Sequence, residues 1–122
     1  MKTVVLCSIL GLLSCFASVS ADPMIRHVVC FKFKAAATAA QVKAVEEAFA
    51  ALKGSIKEVA SLEWGTNNSP EGLNKGFTHC WIVSFRSEAD RKTYLDHPEH
   101  RKFVEVLKPV LEEPFVIDFT VR

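Results

Sequence analysis

The chain has 122 residues, of which 49% are hydrophobic and 24% are charged, so it can bury the core of one folded domain. Lysine and arginine number 15 against 14 acidic residues, which gives a formal net charge of +1. This balance creates no extended positive field, and it argues against nucleic acid or an anionic membrane surface as a partner.

The first 21 residues have the features of an export signal. A basic residue at position 2 is followed by an apolar run from Thr3 to Phe16, and small residues lead up to Ala21. The run is shorter than the ~20 residues that span a bilayer, which argues against a retained membrane anchor. We predict cleavage after Ala21, a mature domain over 22–122, and a periplasmic or extracellular location. A second route stays open, because the residues ending in Cys15 resemble a bacterial lipoprotein box that would leave the protein lipid-anchored.

The first half of the predicted mature domain contains a strand, a helix and a second strand. Residues 26–34 are rich in β-branched and aromatic side chains and predict the first strand. Thr38 and Gln41 form a capping-box pair at the start of a helix that Gly54 is expected to close. A short strand follows over 59–64, and a long turn-rich loop ends it.

The second half repeats this order of elements. Residues 77–85 predict a third strand, and Ser87 caps a second helical region. Pro98 suits the first turn of a further helical segment that ends before Pro109. Residues 115–121 predict the last strand.

The order β-α-β-β-α-β predicts an α+β fold of the ferredoxin-like type, with both helical regions on one face of a four-stranded antiparallel sheet. The opposite face is left without cover. A large semi-apolar surface usually marks an association site, so we expect a homodimer in which two sheets stack through their open faces. The residues expected on that face are Val28, Cys30, Thr78, Ile82, Phe115, Ile117 and Phe119.

Cys30 and Cys80 are the two cysteines of the predicted mature domain, and they fall at matching depths on neighbouring strands of the open face. A disulfide between them is conceivable in an oxidising compartment. Directly adjacent strands rarely suit disulfide geometry, however, so buried free thiols are the default expectation.

Several segments resemble the stress-responsive dimeric α/β barrel family, known as Dabb. The resemblance begins with Met24–Lys34, and its most specific part is Tyr94–His100, which ends in His97-Pro98-x-His100. Trp64-Gly65, Phe77–His79 and Ile117–Phe119 extend it over essentially the whole mature domain. Membership would imply the dimeric α/β barrel fold more firmly than any chemistry, because one fold hosts many functions.

A plant polyketide cyclase in that family implies a site that needs neither metal nor organic cofactor. The resemblance matches Tyr94 and His100 to its catalytic residues, and Asp118 to an aspartate beside the histidine. A neutral His100 would remove a proton next to a carbonyl, Asp118 would orient the imidazole, and Tyr94 would hydrogen-bond the developing enolate oxygen. Phe49 stands where the cyclase has a tyrosine, so the plant substrate is not implied.

Four further residues are expected to line a ligand pocket, namely His27, His79, Phe49 and Trp81. His27 and His79 begin two neighbouring strands and point toward the helices, which allows them to meet in one pocket. A metal site at His97 and His100 is disfavoured, because no third ligand converges on them. His97, beside Pro98, is expected to make local hydrogen bonds at a helix start.

Two functions of different class follow. The favoured one is an exported stress-associated homodimer that binds a small apolar molecule between sheet and helices. The alternative is a cofactor-free enzyme, an aldol-type cyclase, lyase or isomerase, that uses His100, Tyr94 and Asp118. A third possibility, a cofactor-independent monooxygenase, is weaker because it is based on fold analogy alone. An open apolar cavity at these three residues supports the enzyme, whereas a cavity filled by Trp81 and Phe49 excludes it.

Overall fold

The computed structural model describes residues 24–122. The predicted export signal, its cleavage point and Cys15 lie outside these residues. Within the described part, no helix is both long and apolar enough to cross a membrane.

Residues 24–122 form four strands and three helices in the predicted ferredoxin-like order, with the second helical region divided in two. In chain order they are β1 (Ile25–Phe33), α1 (Ala39–Ser55), β2 (Ser61–Thr66), β3 (His79–Phe85), α2 (Glu88–Asp96), α3 (Pro98–Leu107) and β4 (Leu111–Thr120). The division falls at His97, whose backbone is extended with φ −68° and ψ 138°. A residue before proline avoids the helical conformation, which explains the break.

The strands form one antiparallel sheet in the order β2-β3-β1-β4. The three helices cover one of its faces, where strand and helix side chains build the core. Burial alternates along β1, as a strand with only one covered face requires. The largest fully buried side chains of this core include Phe31, Phe49, Trp81, Phe85 and Tyr94.

The predicted helix starts are confirmed in atomic detail. The Thr38 hydroxyl accepts a hydrogen bond from the Gln41 N–H at 3.2 Å, and the Gln41 side chain accepts one from the Thr38 N–H at 2.9 Å. The Ser87 hydroxyl accepts from the Asp90 N–H at 3.1 Å in the same manner. These bonds satisfy N–H groups that have no partner within the helix.

The predicted end of α1 is wrong by a small margin. Gly54 lies inside the helix, which continues to Ser55 and ends at Ile56 in an extended conformation. Ile56 is fully buried, so its side chain joins the core while the backbone leaves the helix. Core packing at Ile56, and not a left-handed glycine, therefore ends α1.

Strand boundaries also differ from those predicted. β2 runs from Ser61 to Thr66 because Gly65 and Thr66 still pair with β3, and β3 itself starts only at His79. β4 begins four residues earlier than predicted, at Leu111, where it pairs with the end of β1.

The open face carries the side chains that strand alternation predicts. Val28 lies between Ile82 on β3 and Ile117 on β4, and Phe115 and Ile117 are each 51% exposed. Ser84, unlike its neighbours on this face, is fully buried, because the Arg26 guanidinium lies over it and donates a hydrogen bond to its hydroxyl.

Candidate functional site

A cavity of about 550 Å³ lies between the helix-covered face of the sheet and helices α2 and α3. Four polar side chains face it, namely His27, Tyr94, His100 and Asp118. The remaining wall is mostly apolar and includes Val29, Phe31, Phe49, Phe103, Val104 and Leu107. The three residues predicted to be catalytic therefore do line one cavity, together with His27.

Within this cavity, the imidazole of His27 is supported by a carboxylate. It lies directly opposite Asp118 in the register of β1 and β4, and its Nδ1 is 2.7 Å from Asp118 Oδ1. The second carboxylate oxygen accepts a hydrogen bond from the Arg91 guanidinium at 2.9 Å. Asp118 thus orients His27, whereas the sequence analysis expected it to orient His100. The cross-strand position places the His27 imidazole within reach of the Asp118 carboxylate, while His100 lies on α3.

Tyr94 and His100 come together at the junction of α2 and α3. The extended backbone of His97 turns the chain between them, and their ring centroids are 4.7 Å apart. Burial raises the pKa of Tyr94 far above its ordinary value, so the hydroxyl remains a neutral hydrogen-bond donor. The buried tyrosine cannot itself serve as a charged base near neutral pH.

His100 is held in its neutral form near pH 7. Burial, and next the nearby His27, lower the pKa of His100 from its ordinary value of 6.5, while a backbone hydrogen bond to Leu95 acts in the opposite direction. A neutral imidazole has a free lone pair that can accept a proton or a hydrogen bond. The cavity therefore contains a neutral donor, Tyr94, beside a neutral acceptor, His100.

His79 lies at the other end of the sheet, and the idea that it meets His27 is wrong. β1 and β3 are antiparallel, so their first residues lie at opposite ends of the pair: His27 faces Val83, and His79 faces Phe31. His79 Nε2 is 2.8 Å from Glu46 Oε1, and its Nδ1 is 2.8 Å from the Thr78 hydroxyl. Both ring nitrogens of His79 are therefore engaged within the chain.

Phe49 and Trp81 form a stacked pair with centroids 4.1 Å apart and an interplanar angle of 2°. Phe49 forms part of the cavity wall, whereas Trp81 is fully buried behind it and stacks on Trp64. The pair does not fill the cavity. Of the four residues expected to bind a ligand, the structure places His27 and Phe49 at the cavity and His79 and Trp81 away from it.

Arg91, the partner of Asp118, and Glu46, the partner of His79, were not predicted from the sequence. Arg91 lies three residues before Tyr94 on α2, and Glu46 lies three residues before Phe49 on α1. Residues three apart share one face of a helix, so this spacing from a predicted pocket residue could have indicated both.

His97 makes the local contact expected of it. Its Nδ1 accepts a hydrogen bond from the Glu99 N–H at 3.1 Å and so caps α3. Among residues 24–122, no cluster of three or more histidine, cysteine or acidic side chains is arranged to hold a metal ion.

The family model for the stress responsive A/B barrel domain, Dabb, matches residues 25–121, which is nearly all of the described chain. The chain belongs to the Dabb family.

Several named or structurally solved proteins are similar to this chain over most of their length. Olivetolic acid cyclase from Cannabis sativa is 28% identical over 98 residues, which cover 80% of this chain and 97% of the cyclase. A dimeric ferredoxin-like protein of unknown function from Thermobifida fusca superposes with a TM-score of 0.69 at 26% identity, covering 81% of this chain and 92% of that one. Hydroxynitrile lyase from Passiflora edulis superposes with a TM-score of 0.77 at 24% identity, covering 83% and 95%. The likeness to the lyase shows the fold alone.

A second cavity of this Dabb protein, of about 890 Å³, lies over the open face of the sheet. It is bounded by β2, β3 and the segment 67–77, and its lining includes Leu73, Phe77 and Phe115. Both cavities are lined by this chain. The smaller one is the better candidate site, because Tyr94, His100 and Asp118 line it together with His27.

Proposed function

We propose that the protein is a homodimer in which each chain binds one small, mostly apolar molecule in the cavity beside α2 and α3. The observation that carries this proposal is an apolar cavity of about 550 Å³ with polar side chains gathered on one part of its wall. Small-molecule sites are commonly ~300–1,000 Å³ and combine an apolar lining with a few polar groups that fix orientation.

The arrangement of the wall indicates which kind of molecule fits. Phe49 and Phe103 offer flat apolar surfaces, with centroids 4.7 Å apart. Tyr94 offers a hydrogen-bond donor, and His100 offers an acceptor. A ring or short chain that carries a carbonyl or hydroxyl oxygen matches both parts of the cavity.

The homodimer is supported by the open face of the sheet. Phe115, Ile117 and Phe119 are each 51% exposed there, and adjacent exposed apolar side chains are typical of an association surface. The similar protein from Thermobifida fusca is described as dimeric. Sedimentation of the purified protein should give the mass of two chains, and a single-chain mass at high concentration would contradict this part of the proposal.

The binding site can be tested with two valine variants on the same helix. Val104 lines the cavity, whereas Val106 is 43% exposed on α3 and does not line it. With 1-naphthol as a fluorescent probe, Val104→Phe should weaken binding at least tenfold, while Val106→Phe should bind as the wild type does. Equal binding by all three proteins would place the probe elsewhere. Native mass spectrometry of the protein from its own cells would reveal a retained natural molecule.

A second candidate function, a cofactor-free cyclase or lyase, is favoured by the contact between Tyr94 and His100. A neutral imidazole can take a proton from the carbon next to a carbonyl, and the electron pair moves toward the carbonyl oxygen. The Tyr94 hydroxyl can donate a hydrogen bond to that oxygen as its negative charge develops. Olivetolic acid cyclase is a named enzyme of similar sequence, which supports this candidate.

Hydrogen exchange separates the two candidates. If the site abstracts protons, the methyl hydrogens of acetophenone should exchange for deuterium in D2O faster with the protein than without it. His100→Gln and Tyr94→Phe should each lower the exchange rate about 100-fold, as expected for loss of an acid–base group. Tight probe binding without any exchange would favour the binding protein.

Export belongs to the same proposal and is supported by the sequence of the first 21 residues. The first residue of the protein isolated from its own cells distinguishes the routes. Asp22 indicates cleavage of an export signal, a lipid-modified Cys15 indicates an anchored lipoprotein, and Met1 would contradict both.

A further inference from the structure

Cys30 of β1 and Cys80 of β3 face each other on the open side of the sheet, where they are cross-strand partners. Both are free thiols in the structure. Cys30 is half-buried and Cys80 is exposed, so the expectation of free thiols holds but the expectation that they are buried is wrong. The reason is that no helix within residues 24–122 covers the open face of the sheet.

A backbone hydrogen bond just before the start of β1 shows with which neighbouring strand Cys30 forms its backbone hydrogen bonds. The Val121 N–H donates to the Met24 carbonyl at 2.9 Å, so the backbone of residue 24 points toward β4. Backbone polar groups alternate sides along a strand, and the β1–β4 register stays regular until Lys32. Cys30 therefore forms its backbone hydrogen bonds with β4 and not with β3.

The same reasoning applies to Cys80. The Ala60 N–H donates to the Ser84 carbonyl at 2.9 Å, so the backbone of Ser84 points toward β2, and Cys80, four residues earlier on the strand, does the same. Cys30 and Cys80 are thus a non-hydrogen-bonded pair. In such pairs the Cα atoms lie ~4.5 Å apart and the side chains approach closely.

We propose that Cys30 and Cys80 are a reversible redox site that forms a cross-strand disulfide when a small oxidised disulfide, such as oxidised glutathione, reaches the open face. A Cα separation of ~4.5 Å lies at the short end of the range that disulfides span. A bridge at that limit is strained, and a strained bridge is more easily reduced than a structural one. The site is separate from the small-molecule cavity, which lies on the other face of the sheet.

The reaction is a balanced pair of thiol–disulfide exchanges. The exposed Cys80, as thiolate, attacks one sulfur of oxidised glutathione, the S–S bond breaks, and one reduced glutathione leaves. Cys30 then loses its proton and attacks the Cys80 sulfur, which forms the Cys30–Cys80 bond and releases the second glutathione. Two electrons and two protons pass from the protein thiols to the two glutathione molecules.

The order of these steps follows from the surroundings of the two thiols. Burial, and next the hydrogen bond with Cys80, raise the pKa of Cys30 to about 11, so Cys30 is the slower nucleophile. The mixed disulfide on Cys80 should therefore appear before the bridge. The cavity over the open face is lined by both cysteines and admits a small disulfide. In the homodimer proposed above a second sheet shields this cavity, so the bridge should form faster on the dissociated chain.

Tryptic mapping of the full chain tests the proposal directly. Cys30 lies in the peptide His27–Lys32 and Cys80 in the peptide Gly76–Arg86, while Cys7 and Cys15 fall together in Thr3–Arg26. Reduced protein is incubated with oxidised glutathione, its remaining thiols are alkylated, and the digest is analysed by mass spectrometry. The expected product is His27–Lys32 joined to Gly76–Arg86, preceded by glutathione on Gly76–Arg86 alone.

Two single variants are matched controls for this mapping. Cys30→Ser should leave a stable mixed disulfide on Cys80, and Cys80→Ser should leave Cys30 modified much more slowly than Cys80 is in the wild type. The bridged protein should unfold several degrees higher than the reduced form, and dithiothreitol should abolish the difference. Peptides that are never joined in excess oxidised glutathione, or Cys80 joined mainly to Cys7 or Cys15, would overturn the proposal.

Discussion

The two ends of the helix-covered sheet face carry similar polar pairs with different surroundings. At one end the imidazole of His27 bonds to Asp118 at 2.7 Å, and at the other the imidazole of His79 bonds to Glu46 at 2.8 Å. Only the first pair borders the cavity shared with Tyr94 and His100. A buried histidine–carboxylate pair is thus not in itself a sign of a binding site, because such pairs also serve to satisfy buried polar atoms. The His27 pair differs because Tyr94 and His100 line the same cavity, whereas His79 lines the larger cavity over the open face without them.

Aromatic rings pack against the imidazole at the His79 end. Trp64 stacks on His79 with an interplanar angle of 5°, and Phe33 contacts the same ring edge-on with centroids 5.0 Å apart. At the His27 end, Tyr94 and Phe85 pack against one side of the imidazole, and the cavity occupies the space beside it. The two ends are separated by the stacked pair of Phe49 and Trp81.

Removing the Phe49 ring should have the largest effect on stability, because the ring packs between the His27 end and the His79 end of the covered face. Phe49 is 1% exposed and contacts Trp81, Phe31 and Phe103. Phe49→Ala should lower the free energy of unfolding by about 3–5 kcal/mol, which chemical denaturation measures. Phe49→Leu should cost distinctly less, because it leaves a smaller void. Equal losses for both variants would mean that the aromatic stack, and not the filled volume, matters.

Loss of the Glu46 carboxylate at the His79 end should lower stability without affecting ligand binding. Glu46→Ala leaves His79 Nε2 without its partner in a buried position, and the free energy of unfolding should fall by about 1–3 kcal/mol. Glu47→Ala is the matched control, since Glu47 is 70% exposed and should change little. The binding of 1-naphthol should be the same in both variants, and weaker binding by Glu46→Ala would show that the two ends are coupled.

Loss of Arg91, which supports Asp118 at the His27 end, should weaken ligand binding with little effect on stability. Arg91→Ala removes one of the two hydrogen bonds that hold Asp118, but Arg91 is partly exposed, so stability should fall by only about 0–1 kcal/mol. Binding of 1-naphthol should weaken severalfold in titrations, because His27 loses its fixed orientation. Lys92→Ala, which changes an exposed neighbour on the same helix, should bind normally. Unchanged binding by Arg91→Ala would separate the Asp118 network from the site.

The smallest expected effect is a pH dependence of stability that arises from His100. The pKa of His100 is lowered in the folded chain, so below pH 6.5 the unfolded chain binds this proton more readily than the folded one. The contribution of neutral His100 to stability is therefore complete above pH 6.5 and is lost as the pH falls from there toward the lower folded pKa. Thermal unfolding between pH 7.5 and pH 5 should show a smaller decrease in Tm for His100→Gln than for the wild type. An identical decrease would assign the dependence to other groups.

Local sequence patterns predicted the covered face of each strand correctly. Alternation in β1 and β3 was enough to place His27, His79 and Trp81 toward the helices and Cys30 toward the open side. The capping residues Thr38 and Ser87 were equally clear, because a cap depends on neighbours only a few residues away. Strand ends were less accurate, since Leu111 and Thr66 extend their strands only through pairing with distant residues.

Local sequence patterns did not predict which polar side chains contact each other. The family resemblance implied that Asp118 lies beside His100, and the strand pattern allowed His27 to meet His79. The structure instead pairs Asp118 with His27 and places His79 with Glu46. These partners are fixed by antiparallel register and by the packing of helices on the sheet, so they depend on residues far apart in the chain.

The sequence by itself therefore determined the family, the order of elements and the face on which each strand residue lies, because periodicity and capping are properties of short segments. The tertiary structure alone decided that the His27–Asp118 pair shares a cavity with Tyr94 and His100, whereas the His79–Glu46 pair does not. Whether a space stays empty depends on the summed volumes of Phe49, Trp81 and their neighbours from five elements, and no single segment contains that information.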